Sequence, residues 1–113
     1  MEREELIKAI RKEYNELKKI VVANSSCGRK LPSVLKENGF SISNHNDYFY
    51  YVSGNVGVVI AYYINNGWDV YGNWRLSKDI NIIYKDTRFY GSQSTHFNIN
   101  NLENFKFDFL TQW

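Results

Sequence analysis

The chain has 113 residues, 43% of them hydrophobic and 23% charged, with a formal charge of +2 and one cysteine. Such a chain makes one globular domain with a single core, without disulfide staples. A charge this small does not by itself imply nucleic-acid binding.

The two ends of the chain differ in composition. Of 19 aromatic residues, 18 lie between Phe40 and Trp113, and only Tyr14 precedes them. Residues 1–39 carry nine bases against six acids, whereas residues 40–113 carry five against six. The expected organisation is a single α+β domain over 1–113, helical over 1–39 and aromatic-rich β over 40–113.

In chain order, the first expected element is an amphipathic helix from Glu2 to Val22. Leu6, Ile10, Tyr14, Leu17 and Val21 recur in steps of three and four, and Ile7 and Ile20 widen the stripe. Glu2, Glu4 and Glu5 suit the positive end of its dipole, and Lys18 and Lys19 the negative end. A short second helix is expected from Pro32 to Asn38. Proline favours its first turn, and Asn38-Gly39 supplies a left-handed stop.

From Phe40 the period changes to two. Tyr48–Val52, Val56–Ile64, Ile80–Tyr84, Phe89–Tyr90, Thr95–Ile99 and Phe105–Phe109 read as strands. Asn66-Gly67 is a strong hairpin signal. A two-residue turn there would pair Tyr63 with Val70, Val59 with Trp74 and Tyr62 with Tyr71. Val59, Tyr63, Val70 and Trp74 would then form the face that receives Tyr14, Leu17 and Val21. The expected fold is two N-terminal helices, one long and one short, packed on a mostly antiparallel sheet of five to seven strands.

Chemistry-bearing residues are few. His45 and His96 have the side chain best suited to proton transfer at neutral pH, but both sit in polar segments without metal-ligand spacing. Cys27 stands beside Arg29 and Lys30, which could lower its pKa, yet no histidine is adjacent in sequence. Arg75, Lys78, Arg88, His96 and Glu103 could supply the cations, base and acid of a metal-independent nuclease, a set with no diagnostic spacing. No glycine-rich phosphate loop occurs. The expectation is therefore no catalytic residue, no metal and no cofactor.

The aromatic residues remain. Tyr48 to Tyr51 are four consecutive rings, so two must point away from the core whichever way that strand faces. Large rings with a polar tip dominate binding hot spots. The expected partner-binding set is Tyr48, Tyr50, Tyr51, Tyr62, Tyr71, Asn73 and Arg75.

The expected partner is a protein, with homodimerisation as a variant; nucleic acid stacked on sheet aromatics and held by helix Lys and Arg is the alternative. The N-terminus lacks the apolar stretch of a secretory leader, and no apolar run approaches the roughly 20 residues that span a bilayer, so a cytoplasmic, non-membrane protein is expected. Asn, Ile, Lys and Tyr are abundant and Ala scarce, as in an A/T-rich genome. In that context a small protein without a catalytic set fits a phage or mobile-element accessory protein that inhibits a host factor, such as a defence protein, by occluding its surface.

Overall fold

A computed structural model describes residues 3–26, 30–44, 49–53, 59–66, 73–85 and 92–104. A long helix, α1 (Arg3–Ala23), and a short one, α2 (Leu31–Glu37), precede strands β1 (Ser41–Asn44), β2 (Phe49–Ser53), β3 (Val59–Asn66), β4 (Trp74–Lys85) and β5 (Ser92–Asn98). A 3₁₀ turn, Ile99–Asn104, follows β5. The sheet is antiparallel in the order β1-β2-β3-β4-β5. The fold is α+β, a long N-terminal helix packed on an antiparallel sheet.

Three strands of seven residues or more, β3, β4 and β5, form the body of the sheet, fewer than the five to seven expected. Ile80–Tyr84 is the second half of the twelve-residue β4 rather than a strand of its own. The short β1, which the sequence reading missed, and β2 continue the sheet beside β3. The segments 89–90 and 105–109 lie outside the described residues.

The stripe on α1 buries Leu6, Ile7, Ile10, Tyr14, Leu17 and Val21, as its spacing predicts. At the end of α1, the Asn24 backbone N–H and side-chain Nδ2 both donate to the Ile20 carbonyl. The next carbonyl, Ser25, accepts from the Trp74 N–H at 2.8 Å and so anchors the start of β4 to the end of the helix.

The left-handed stop of α2 forms as the sequence predicts. Gly39 has φ +90°, Phe40 N–H donates to the Leu35 carbonyl, and Gly39 N–H donates to the Lys36 carbonyl. This bond pattern satisfies carbonyls that a helix end leaves open. Phe40 packs against the core that contains Leu35, the apolar contact that accompanies such a stop.

The β3–β4 hairpin departs from expectation. Asn66 pairs with Trp74, so the connection comprises residues 67–73 rather than a two-residue Asn66-Gly67 turn. Tyr62 faces Ile80, and the expected Tyr62–Tyr71 and Val59–Trp74 pairs do not form. β4 presents Trp74, Leu76, Ile80 and Ile82 to the helices, but β3 is turned over relative to the expectation. Ile60, Tyr62 and Ile64 face inward, while Val59 is 42% exposed. β3 is apolar at both odd and even positions, so its facing follows the larger side chains that complement α1, and the local turn signal yields.

Between Tyr62 and Ile64 the register shifts, and β4 bulges through Ser77, Lys78 and Asp79. A bulge leaves backbone groups outside the ladder. Here the Tyr14 hydroxyl donates to the Ser77 carbonyl at 3.1 Å, and the Asp79 N–H donates to Ser77 Oγ at 3.1 Å. Tyr14 also meets Tyr62, with ring centroids 6.2 Å apart and planes inclined at 51°. The helix therefore grips the sheet at the bulge. The 3₁₀ turn closes the same side, burying Ile99 and Leu102. Its Glu103 accepts from Arg11 of α1 through Oε1, and its backbone oxygen accepts from Arg3.

Candidate binding face of the sheet

With the even positions of β3 and β4 committed to the core, the odd positions define the outer face. The register places Ala61, Asn81 and His96 in one row across β3, β4 and β5. Val59 and Ile83 form the neighbouring row, and Asn65 and Arg75 a row beyond the bulge. Tyr63 lies on β3 between the rows of Ala61 and Asn65. His96 and Arg75 are exposed, while Tyr63, Asn65 and Ile83 are half-buried.

Asn81 is the one buried polar residue among the described residues, at 6% exposure. Ile80 and Ile82 on either side point into the core, so alternation along the strand sends Asn81 outward. Its Oδ1 is buried and has no hydrogen-bond partner among the described residues, and neither has Oδ1 of Asn65. Buried polar atoms are nearly always satisfied, and one left open costs about 1–3 kcal/mol. Two such oxygens on one sheet face are an unmet demand for hydrogen-bond donors.

Beside Asn81 stand two rings. Tyr63 and His96 are stacked, with centroids 6.3 Å apart and planes within 21° of parallel. Tyr63 comes from β3 and His96 from β5, so the rings reach across the intervening strand that carries Asn81. Ala61 and Asn81, in the row that leads to His96, are themselves buried. Among the described residues the rings meet in two separate pairs, Tyr14–Tyr62 and Tyr63–His96, rather than as a continuous aromatic cluster.

Of the residues expected to bind a partner, Tyr62 is misplaced by the sequence reading. It is fully buried, and its hydroxyl donates to Glu13 Oε1 on α1 at 2.7 Å. Inversion of β3 is the reason, and it brings Tyr63 outward in its place. Burial and the Glu13 carboxylate hold the Tyr62 phenol protonated well above its ordinary range. In the register of β2, position 50 pairs with Ile64 and position 51 with Tyr63. Asn73 is half-buried beside β4, and Arg75 is exposed on the outer face. Tyr48 and Tyr71 lie outside the described residues.

Among the described members of the acid–base–cation set, Arg75 and His96 share the outer face, but Glu103 is not brought to them. Glu103 is engaged by Arg11 on the helix side, whereas His96 lies on the outer face, and Lys78 sits in the bulge. Arg88, His45 and Cys27 lie outside the described residues. Among the described residues no three His, Cys, Asp or Glu side chains converge as a metal site, and no helix is long and apolar enough to cross a membrane.

Sequence reasoning passed over Tyr63, Asn65 and Asn81. The available signal was Asn81 itself, a polar residue inside the apolar run Ile80 to Ile83. Comparison with known proteins adds no assignment: no protein-family model, curated protein or solved structure matches this chain.

Proposed function

We propose that this protein works by binding another protein, with the outer face of the sheet as its docking surface. The observation that carries the reading is the stacked pair of half-buried Tyr63 and exposed His96 on that face. Amphipathic rings flanked by polar groups are the chemistry of binding hot spots, where rings supply area at small entropic cost. Exposed Val59, half-buried Ile83 and exposed Arg75 extend the surface. The reading is non-enzymatic, and separation of Glu103 from His96 by the sheet supports it. In this proposal the protein is a cytoplasmic accessory factor of a phage or mobile element. It inhibits a host factor by covering a functional surface.

A competing surface exists on α1. Asn15, Lys18, Lys19, Val22 and Ala23 border a concavity of about 520 Å³, and Val22 is 65% exposed. A basic rim of this kind favours an acidic partner or a phosphate backbone.

Two variants measured against a partner recovered by tagged purification separate the readings. Tyr63→Ala with His96→Ala removes the rings, and Lys18→Glu with Lys19→Glu reverses the basic rim. The docking-face reading expects the first variant to lose about tenfold or more in affinity, through faster dissociation. It expects the second to change mainly the association rate and its salt dependence. Full affinity in the folded ring variant, with loss in the lysine variant, would assign recognition to α1 instead.

A further inference from the structure

We infer that the concavity near the end of α1 is a second docking site, for an acidic protein segment that carries an apolar anchor side chain. The site is separate from the docking face, because α1 packs on the inner face of the sheet. Asn15, Lys18, Lys19, Val22 and Ala23 border about 520 Å³ of open space. Their spacing of three and four residues sets them on one side of the helix, over roughly 12 Å of its axis. Val22 is 65% exposed, more than any other large hydrophobic among the described residues.

Charge decides the sign of the occupant. Among the described residues no acid borders the concavity, and Lys18 and Lys19 form no ion pair. Glu16, three residues before Lys19, does not engage it. The walls decide the rest of its character. A lysine lays its methylenes along apolar neighbours while its ammonium stays in water. Val22, Ala23 and the two lysine stems therefore offer apolar surface beneath a positive rim. A phosphate backbone would meet the ammonium groups and leave Val22 in water. Two lysines also neutralise few phosphates, on a chain whose formal charge is +2. A protein segment with a large apolar side chain among carboxylates meets both features. Its anchor supplies affinity, and the rim charges supply approach and register.

The full-length ¹⁵N-labelled chain is titrated with a short synthetic peptide in which leucine stands among glutamates. The same peptide with serine for leucine, one with lysine for glutamate, and a DNA oligonucleotide of matched charge are titrated at the same ionic strength. The expected result is saturable shifts of the backbone amides from Asn15 to Ala23, with those of Tyr63 and His96 unmoved. The serine peptide and the oligonucleotide should bind several-fold more weakly, and the lysine peptide should not bind. Val22→Ser alters an exposed position, so the Tm should hold while affinity for the leucine peptide falls several-fold and its salt dependence remains. Lys18→Glu with Lys19→Glu should abolish the shifts.

An oligonucleotide that binds as tightly as the leucine peptide overturns the inference and assigns the rim to a phosphate backbone. Equal binding of the leucine and serine peptides overturns it too, since no anchor is then read. So does the absence of saturable shifts in α1, or full affinity in Val22→Ser. The titration involves no residue of the sheet face, so its failure removes the α1 site alone. The partner affinities of the Tyr63/His96 variant decide the docking face separately.

Discussion

The hydroxyl of Tyr62 donates to Oε1 of Glu13 at 2.7 Å from a position with no solvent exposure. This bond joins the middle of β3 to the polar flank of α1, next to the Tyr14–Tyr62 ring contact. It fixes the rotation of the helix over the sheet, since Glu13 and Tyr14 are adjacent and both are engaged. The same bond commits the even positions of β3 inward and thereby turns Tyr63 toward the outer face.

Tyr62→Phe should keep the ring packing and lose the bond. Hydrogen bonds to a charged group contribute about 1.5–3 kcal/mol, and a loss in that range is expected in urea unfolding. A variant as stable as the parent would show that Glu13 does not hold the tyrosine in solution.

Stability should also fall at alkaline pH. Burial and Glu13 raise the Tyr62 pKa above its ordinary value of 10.0, and burial raises that of Tyr14. Both groups bind their protons more tightly in the folded chain. Their contribution is complete below pH ~10 and declines above it, as the unfolded chain ionises first. For Tyr62 the slope is at most about 1.4 kcal/mol per pH unit. Unfolding midpoints between pH 9 and 11.5 test this, and Tyr62→Phe should flatten the decline.

Leu17 has no solvent exposure and lies at the centre of the α1 stripe. Leu17→Ala should cost about 2–5 kcal/mol, the range for a buried leucine whose site cannot collapse. An unchanged denaturation midpoint would remove α1 from the core.

Gly39 ends α2 at φ +90°, and a Cβ there would meet nothing within 4 Å. Gly39→Ala should therefore destabilise through backbone strain alone, by about 1 kcal/mol. Gly39→Asn should cost less, because asparagine tolerates left-handed geometry better than alanine. Thermal unfolding of the two variants gives the comparison.

Asn81→Val should stabilise the unbound protein, by about 1–3 kcal/mol if the whole penalty of the open oxygen is recovered. Val also suits a strand position flanked by other strands. Equilibrium unfolding without any ligand measures it.

Local pattern alone determined the long helix, its buried stripe, the left-handed stop at Gly39 and the order of helices before strands. Each depends on residues within one or two turns of one another, where spacing and glycine act without reference to the rest of the chain. The facing of β3 was beyond that reach. Val59, Ile60, Tyr62, Tyr63 and Ile64 make both sides of the strand apolar, so alternation offers no choice between them. The Asn66-Gly67 signal pointed to a register that tertiary packing overrode. Burying Tyr62 against Tyr14 and Glu13, and aligning Ile60 and Ile64 with Ile82 and Leu76, engages more of α1 than the tight turn would allow. Only that long-range match decided which tyrosine is core and which is surface. It also brought Tyr63, Asn81 and His96 together from three strands, because cross-strand neighbours are set by register and leave no trace in sequence spacing.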